Sequence, residues 1–453
     1  MQPVAVLNVV GLTSSLLPHA PRIAGYAQNT GGFAPLAPVF PALTCPVQAS
    51  MLTGLPPGNS IAPNGHQPPP DNGHGIVANG WYHRDLAEIR FWQRPDHLVH
   101  GEKIWDAGKK RDPSFTSANL FWWHNTYSTC DLTLQARPIY KADGRKLPDC
   151  YCNLPAWRDK LQRKLGPFPL FRFWGPLADI ASSQWIAEAA VLTHQHHHPT
   201  LNLVYLPHLD YGLQKLGPDH LEIPKHVAQI DRVVGQLLDY YRQQAVRVLI
   251  LSEYGIQPTL PQNAAIPINR YLRDAGLLAV RTEDQRELLD PGASDAFAVT
   301  DHQIAHVYHH PDIALPALPG CHAAPLSHPR AGDTVLVADP GRWFTYDYWP
   351  ADRPGLAPDF ARTVDIHRKP GYDPRELFSS ASPAAIAWKL LRKKLGFRQL
   401  MDVIPLNPDY VRGTHGRTDL PSSLQPLLIG LGRHPDGFPV TAVKSLLLDQ
   451  IFS

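Results

Sequence analysis

The stretch Leu203-Val204-Tyr205-Leu206-Pro207-His208-Leu209-Asp210 has the pattern that decides the fold of this chain. The apolar run from Leu201 to Leu206 predicts a buried strand. Asp210 is expected at the carboxyl end of that strand, as a metal ligand or as a carboxylate that caps a turn. His208 is expected on the same face, because side chains two residues apart in a strand point the same way. It is either a substrate-binding residue or a hydrogen-bonded structural histidine.

A second strand is predicted downstream in the same sheet. Residues 222–243 have apolar side chains at helical spacing, and the apolar run from Val246 to Leu251 leads to Glu253. Strand, helix, strand is the unit of a parallel sheet with right-handed crossovers. Ligands bind beyond the carboxyl ends of such strands, so Asp210 and Glu253 are expected to face one site. Glu253 is a candidate ligand, general base or salt-bridge partner.

A glycine-flanked histidine stands in the segment Gly413-Thr414-His415-Gly416. This pattern predicts a tight loop that holds the imidazole on rigid backbone. An oxygen from Asp210 and a nitrogen from His415 are ligands that suit a hard or borderline divalent cation. The main spatial prediction is therefore that these two side chains meet at one edge of the sheet.

Composition and charge limit the classes of partner. The 42 basic and 40 acidic residues nearly balance, which gives no electrostatic reason to expect nucleic acid or an anionic membrane as a partner. No apolar run is long enough to span a bilayer. The amino terminus lacks the pattern of a signal peptide, and five irregularly spaced cysteines fit no disulfide framework. We therefore expect a cytoplasmic protein that acts on a small molecule, without a nucleic-acid partner or a membrane span.

The chain is predicted to form one large α/β domain over residues 1–453. An insertion at 81–177 is dense in aromatic residues and is expected to build a lid or pocket wall. A second insertion, 257–380, is expected to carry short strands, and 381–453 returns to the core. The segment from Ala62 to Gly75 is rich in proline, glycine and asparagine and predicts a loop.

Several short motifs occur in a fixed order after the apolar first strand. They are Phe40-Pro41-x-x-Thr44-x-Pro46, Leu52-Thr53-Gly54, His74-Gly75-Ile76-Val77-x-Asn79, Asp210 with Gly217-Pro218, Leu251-Ser252-Glu253-Tyr254-Gly255 and Gly413-Thr414-His415-Gly416. This order resembles the nucleotide pyrophosphatase/phosphodiesterase (type I phosphodiesterase) branch of the alkaline phosphatase superfamily. The resemblance implies a three-layer α/β/α sandwich around a large, mainly parallel sheet with long loop insertions. It also implies hydrolysis of phosphate mono- or diesters with two zinc ions and a threonine or serine nucleophile.

The resemblance assigns roles to some positions. Thr44 stands at the nucleophile position, and Asp210 and His415 stand at two ligand positions of one metal. The histidine four residues after that aspartate is here Gln214. Asn79 ends the third motif and is a candidate substrate-binding residue. Thr44 also has a structural interpretation, because threonine is a good helix N-cap.

Other positions depart from the pattern of the resembled family. The family's Asp-His pair after the later strand is here Glu253-Tyr254, and the aspartate that ends the first strand is here Val10. Val47 replaces the asparagine that helps to hold the phosphoryl oxygen. Valine and tyrosine at these places argue against a two-zinc site. They leave one divalent ion, bound by Asp210 and His415 with Gln214 or Glu253, and this oxygen-rich set shifts the preference from Zn toward Mg or Mn.

Two further groups are candidates for substrate binding. In Asp301-His302-x-x-x-His306, extended backbone is predicted, and one of the two histidines is expected to point into the crevice. In the segment from Asp365 to Asp373, the side chains of His367, Arg368 and Lys369 suit an anionic group such as phosphate. The alternative for this segment is an exposed loop with local salt bridges.

Three hypotheses for function remain open from the sequence. The first is a metal-assisted phosphatase or phosphodiesterase with a divergent metal site, in which Thr44 and Glu253 are catalytic and the substrate is a small phosphorylated metabolite. The second is a metal-free acid–base enzyme that acts on a sugar-like substrate. The third is a catalytically degenerate relative that binds a ligand or serves as a scaffold.

Overall fold

The structure is a computed structural model that describes residues 1–59, 73–434 and 436–453. The predicted loop from Ala62 to Gly75 lies outside the described residues up to position 72. Within these ranges no helix has the length and apolar character needed to cross a bilayer.

The strands, in chain order, are β1 Val4–Val9, β2 Phe33–Ala37, β3 Gly80–His83, β4 Glu88–Phe91, β5 Ser117–Leu120, β6 Leu132–Ala136, β7 Ile139–Tyr140, β8 Lys146–Leu147, β9 Cys150–Cys152, β10 Leu201–Leu206, β11 Arg247–Leu251, β12 Gln257–Pro258, β13 Ala265–Pro267, β14 Val280–Glu283, β15 Arg286–Leu289, β16 Ala296–Asp301, β17 Ile304–His309, β18 Cys321–Ala323, β19 Thr334–Ala338, β20 Trp343–Thr345, β21 Gly413–Thr414, β22 Leu427–Ile429 and β23 Phe438–Pro439. The α-helices are α1 Pro21–Asn29, α2 Thr44–Thr53, α3 Ile104–Arg111, α4 Pro155–Leu165, α5 Leu170–Phe173, α6 Ile180–His197, α7 His208–Leu216, α8 Ile223–Gln243, α9 Ile268–Asp274, α10 Pro383–Lys394 and α11 Val443–Phe452. Short 3-10 helices occur at Ser14–His19, Asp96–Leu98, Pro354–Leu356, Asp359–Arg362, Pro374–Leu377, Pro408–Tyr410, Ser422–Leu424 and Val440–Ala442.

A nine-stranded mixed sheet forms the centre of the molecule, in the order β23-β2-β22-β11-β1-β10-β5-β6-β9. Strands β11, β1, β10, β5 and β6 run parallel, and β22 pairs antiparallel with both β11 and β2. Every residue of β1 and β10 is buried, as expected for central strands covered on both faces. Helices α6 and α8 pack against β10 and β11, whereas α11 packs against β1 together with α2 and α3. The α/β/α sandwich with a mainly parallel sheet is thus confirmed.

The second insertion builds its own sheet. It is a four-stranded antiparallel sheet in the order β16-β17-β19-β18, and it packs on an apolar core separate from that of the large sheet. The turn between β16 and β17 contains His302, whose φ of 54° lies in the left-handed region. This tight turn fixes the direction of the His302 side chain, which matters for the site described below.

The prediction that Asp210 lies at the end of a strand is wrong, because this residue lies in a helix. Strand β10 ends at Leu206, Pro207 follows as the N-cap residue, and α7 begins at His208. A proline has no N–H to continue a ladder, so the chain turns there. Asp210 therefore lies in the first helical turn, where a carboxylate is favoured by the helix dipole. Gln214, one turn later, shares its face, whereas His208 does not.

Candidate functional site

Thr44 is the first residue of the buried helix α2 and contacts a tyrosine that follows β11. Its Oγ1 lies 3.0 Å from the phenolic oxygen of Tyr254. The N-cap of α2 is Leu43, and no side-chain capping bond is present there. The N-cap interpretation of Thr44 is therefore wrong, and its hydroxyl is directed toward the residues beyond the carboxyl ends of the central strands.

The Tyr254 phenol links Thr44 to Asp210. The phenol donates to Asp210 Oδ1 at 3.3 Å, and Gln214 Nε2 donates to Asp210 Oδ2 at 2.8 Å. The Tyr372 hydroxyl in turn donates to Gln214 Oε1 at 2.9 Å. Burial raises the pKa of Asp210 to about 7, although the bonds from Gln214 and Tyr254 oppose the shift. The carboxyl thus titrates close to neutral pH.

Four rings stack beside this chain of hydrogen bonds. Tyr254 and His415 have ring centroids 3.6 Å apart, His415 and His302 3.8 Å, and His302 and Tyr372 4.0 Å. The Nδ1 of His415 lies 2.9 Å from the carbonyl oxygen of Ala42, so Nδ1 carries the proton and Nε2 is the available acceptor. Burial lowers the pKa of His415 to about 3, which keeps the ring neutral. Asp210 and His415 therefore lie in one buried cluster, on two sides of the Tyr254 side chain.

Glu253 lies on the other side of Thr44 and is held by amides. Its Oε1 accepts from Asn8 Nδ2 at 2.6 Å and from Gln48 Nε2 at 2.5 Å. Burial raises the pKa of Glu253 to about 8, and these two hydrogen bonds and the Thr44 hydroxyl oppose part of that shift. Glu253 is therefore protonated at neutral pH and stands beside the predicted nucleophile.

Asn79 positions the start of α2. Its Oδ1 accepts from the backbone N–H of Cys45 at 2.9 Å. Its own backbone N–H and side-chain amide donate to the two oxygens of Asp301, at 2.8 and 3.2 Å. Asn79 is thus adjacent to Thr44, but the bonds recorded for its side chain serve the backbone and Asp301.

The remaining predicted residues do not contact this cluster. His208 Nε2 lies 3.0 Å from Gln229 Oε1, on another face of α7 from Asp210. His367 Nδ1 lies 3.3 Å from the carbonyl oxygen of Phe91. Their role in substrate binding stays a prediction.

Arg368 and Lys369 have separate environments. Arg368 is largely exposed and pairs with Asp359 and Asp365. Lys369 is fully buried and pairs with Asp373 at 2.8 Å and with Glu376 at 2.7 Å. Because this ammonium already has two carboxylate partners, the geometry favours a structural ion pair for Lys369 over a phosphate contact.

Aromatic side chains cover the pocket. Trp92 packs on Trp123 and on Tyr372, with centroids 4.7 and 6.0 Å apart. Trp174 packs on Tyr372 at 5.5 Å and on Tyr211 at 5.9 Å. The three tryptophans come from the insertion 81–177 that the sequence identifies as aromatic-rich. Trp92 and Trp174 thus pack beside Tyr372, which contacts Gln214 and His302, and the role of residues 81–177 as a lid or pocket wall stays a prediction.

The donor set does not fit the two-metal centre of the resembled family. Val10 is buried and offers no donor atom, and Tyr254 occupies the volume beside His415 with its ring. Gln214 Oε1 is engaged by Tyr372, and Glu253 Oε1 by Asn8 and Gln48. In the ranges that the structure describes, no three His, Cys, Asp or Glu side chains converge as a metal-binding group.

Sequence reasoning missed the residues that join the site together. The sequence identifies Tyr254 only as a poor metal ligand and gives no indication of its bridging hydroxyl. Tyr372 gave no signal at all. Asn8 did give one, because it is the only polar residue in the first apolar strand, and Gln48 stands directly after the substituted Val47.

Comparisons with known proteins agree with this architecture. The model of the family described as type I phosphodiesterase / nucleotide pyrophosphatase matches residues 4–373. An uncharacterized pyrophosphatase/phosphodiesterase of Schizosaccharomyces pombe is 24% identical over 270 residues, which are 56% of this chain and 45% of that protein. The match thus spans less than half the length of this curated relative.

Solved structures of low identity share the fold. Murine ectonucleotide pyrophosphatase/phosphodiesterase 5, as an inactive variant in complex with AMP, has a TM-score of 0.55 at 14% identity and covers 100% of this chain and 95% of its own. The human protein of the same name has a TM-score of 0.54 at 14% identity, with 99% of this chain and 95% of its own covered.

Proposed function

This chain belongs to the type I phosphodiesterase/nucleotide pyrophosphatase family, and we propose that it hydrolyses a phosphate ester of a small metabolite in the pocket around Thr44. The observation that carries the proposal is the hydrogen-bonded chain from the Thr44 hydroxyl through the Tyr254 phenol to the Asp210 carboxyl. A threonine hydroxyl is a weak nucleophile at neutral pH unless a base receives its proton. A carboxyl with a pKa of about 7 is well matched to that task.

The proposed first step forms a bond between Thr44 Oγ1 and phosphorus. The Thr44 proton passes to the Tyr254 oxygen as the Tyr254 proton passes to Asp210. The bond from phosphorus to the leaving oxygen breaks, and that oxygen takes a proton from water. In the second step a water molecule attacks phosphorus and the bond from phosphorus to Thr44 Oγ1 breaks. The attacking water gives one proton to the hydroxide left in solvent by the first step, and Asp210 returns its proton through Tyr254 to Oγ1.

No step of this scheme uses a metal ion. The predicted single divalent ion, Zn, Mg or Mn, would rest on Asp210 and His415, because the Gln214 oxygen and Glu253 Oε1 are engaged in hydrogen bonds. Two protein ligands are fewer than a zinc site uses, and for Mg or Mn the set offers one carboxylate, Asp210, whose two oxygens already accept hydrogen bonds from Tyr254 and Gln214. The proposal therefore assigns proton transfer to Tyr254 and Asp210.

The aromatic cover supports a small metabolite as the substrate. Trp92 and Trp174 are only partly buried, so each has ring surface available for a flat or apolar group. The related murine protein was solved with AMP, which makes a nucleoside monophosphate the first ligand to test here. The expected cytoplasmic location is kept as part of the proposal, with the five cysteines all free.

A ligand-binding protein without turnover is the second candidate. It is favoured by the burial of Glu253, which raises the pKa of this carboxyl to about 8, and by the amides of Asn8 and Gln48, which already occupy its Oε1. The metal-free acid–base enzyme would use the same groups on a sugar-like substrate. These alternatives differ from the main proposal in whether Thr44 is needed for turnover.

The experiment compares Thr44→Val with Thr133→Val. Both replace a buried threonine hydroxyl, but Thr133 Oγ1 has no hydrogen-bond partner and lies in β6, away from the pocket. Hydrolysis of aryl phosphate mono- and diesters is measured with and without a chelator, and AMP binding is measured by calorimetry. The proposal predicts chelator-resistant hydrolysis that Thr44→Val abolishes and Thr133→Val retains. AMP binding by both variants without hydrolysis by the natural chain would instead establish the binding protein.

A further inference from the structure

Helix α10, Pro383–Lys394, lies on the surface, and none of its residues is buried. Six large apolar side chains on the helix and on the segment after it have a large fraction of their surface exposed to solvent. They are Trp388 at 61%, Leu390 at 52%, Leu391 at 46%, Leu395 at 66%, Phe397 at 58% and Leu400 at 40%. Single exposed apolar residues are ordinary, but six within thirteen positions form a patch that requires an explanation.

The spacing of three of these residues places them on one side of the helix. Trp388, Leu391 and Leu395 are three and four positions apart, which places them along one face of a helix. Phe397 and Leu400 continue the apolar surface beyond the end of the helix. The helix is therefore amphipathic with its apolar stripe directed to solvent, the reverse of a helix that packs on a core.

The same segment is strongly basic. Residues 383–401 contain Lys389, Arg392, Lys393, Lys394 and Arg398 and no acidic residue. Lys389 pairs with Asp402, and the Arg392 guanidinium lies 5.7 Å from the Phe397 ring centroid. Within the described residues, no ion pair joins Arg392 or Lys394 to a carboxylate.

A neighbouring hairpin extends this surface. Arg398 donates to the carbonyl oxygen of Ala142, in the turn between β7 and β8, at 2.9 Å. The hairpin exposes Ile139 and Tyr140, and the Lys146 ammonium lies 5.5 Å from the Tyr140 ring centroid. We call residues 383–400 together with 139–147 the basic apolar patch.

We propose that the basic apolar patch docks on the surface of a membrane that contains anionic lipids. Exposed Trp, Leu and Phe beside Lys and Arg are the combination that inserts an apolar face at the level of the headgroups and attracts acidic lipids. A second copy of the chain is a poorer partner, because a two-fold contact would bring the eight basic residues of the patch against the same eight, with Asp143 as the one acidic residue on each side. The near balance of charge over the whole chain does not oppose this docking, because such charges act within about a Debye length of ~10 Å.

The test is cosedimentation of the intact protein with vesicles. One set is pure phosphatidylcholine, and the other is equal parts phosphatidylcholine and phosphatidylglycerol. The protein is expected to sediment with the anionic set, to remain in solution with the neutral set, and to dissociate as salt is raised. The double variant Arg392→Gln, Lys394→Gln should lose binding roughly twenty-fivefold, since each basic residue near the surface contributes about fivefold.

Apolar and control variants complete the test. Leu391→Ser with Leu395→Ser should also abolish cosedimentation, without a change in thermal stability, because both side chains are exposed. Leu221→Ser is the matched control, because Leu221 is 93% exposed and precedes α8, outside the patch. Equal sedimentation with both vesicle sets, equal loss in the control, or no sedimentation at all would each overturn the proposal. So would dimerisation in sedimentation equilibrium that Leu391→Ser with Leu395→Ser abolishes while vesicle binding persists.

Discussion

Tyr254 lies face to face with His415, with ring centroids 3.6 Å apart and planes 7° from parallel. The hydroxyl of the same tyrosine reaches Thr44 and Asp210. One side chain thus covers a face of the imidazole and joins a hydroxyl to a carboxyl through its own hydroxyl. This dual role makes Tyr254 the residue on which the chemistry of the pocket depends.

Tyr254→Phe should lower kcat/KM for an aryl phosphate by about a hundredfold or more, because positioned proton transfer typically contributes at least that factor. The phenyl ring retains the stack on His415, so the substitution removes only the hydroxyl. Tyr348→Phe is the matched control, since Tyr348 is also buried but donates to the carbonyl oxygen of Glu287 in the second insertion. Equal activity of the two variants would exclude the proposed proton path.

The rate of hydrolysis should rise with pH through about 7. Asp210 has a pKa of about 7 and must be ionised to receive the proton of Tyr254. The profile of log kcat/KM against pH gives this value directly. The residual activity of Asp210→Asn should no longer change with pH near neutrality. If its pH profile still rises at the same pH, the titrating group is a residue other than Asp210.

Asp210 should also make folding depend on pH. Its pKa is raised from the unfolded value of about 3.9 to about 7, so the folded state holds the proton more strongly. The contribution of Asp210 to the free energy of unfolding is therefore fully present below about pH 4. It falls by about 1.4 kcal/mol per pH unit above that and is lost once the pH has passed about 7. Denaturant unfolding of Asp210→Asn should lack this part of the slope. If the difference in unfolding free energy between the natural protein and Asp210→Asn does not change with pH, this prediction is wrong.

Asp373→Asn should destabilise the fold by about 3–5 kcal/mol, the usual result of removing one partner from a buried ion pair. The Lys369 ammonium and the Arg375 guanidinium hold the pKa of Asp373 at about 2 against the effect of burial. Urea unfolding near neutral pH measures the loss. Asp143→Asn is the control, because its ion pair with Arg145 is exposed to solvent and its loss should leave the stability nearly unchanged.

Gly413→Ala should displace the loop that carries His415. A Cβ at this position would lie 2.2 Å from the carbonyl oxygen of Leu213 and 2.8 Å from Ile256. Backbone cannot yield as a flexible side chain does, so we expect a loss of at least about 1–3 kcal/mol. Gly25→Ala should have the opposite effect on stability. That position in α1 has open space around it, so an alanine should stabilise the helix by about 0.5–1 kcal/mol. Thermal unfolding of both variants compares them.

The sequence predicted the parts of the fold that follow from periodicity. The strand from Leu201 to Leu206 has the observed bounds, and the helix predicted over 222–243 is observed at Ile223–Gln243. The two side chains expected in one pocket, Asp210 and His415, both contact Tyr254. Apolar spacing is a local property, so the bounds of this strand and this helix required no knowledge of packing. The proximity of Asp210 and His415 followed from the two ligand positions that the family resemblance assigns.

The rest depended on contacts between distant residues. Nothing near Tyr254 in the chain indicates that its hydroxyl meets Thr44, because 210 positions separate the two. Lys369 looked like an anion-binding residue, and only the folded chain brings Glu376 and Asp373 around it. Pro207 does indicate locally that the strand ends before Asp210. The apolar run that precedes it nevertheless favours a strand that continues to Asp210.

The position of β22 in the large sheet has a consequence for the synthesis of this protein. Leu427–Ile429 lies between β11 and β2, and β23 pairs with the outer side of β2. The early segment Phe33–Ala37 therefore has no neighbouring strand until residues 427–439 have left the ribosome. Until that moment β11 exposes an unpaired edge, so the nascent chain passes through a long interval in which aggregation is a hazard and a chaperone has a site to protect.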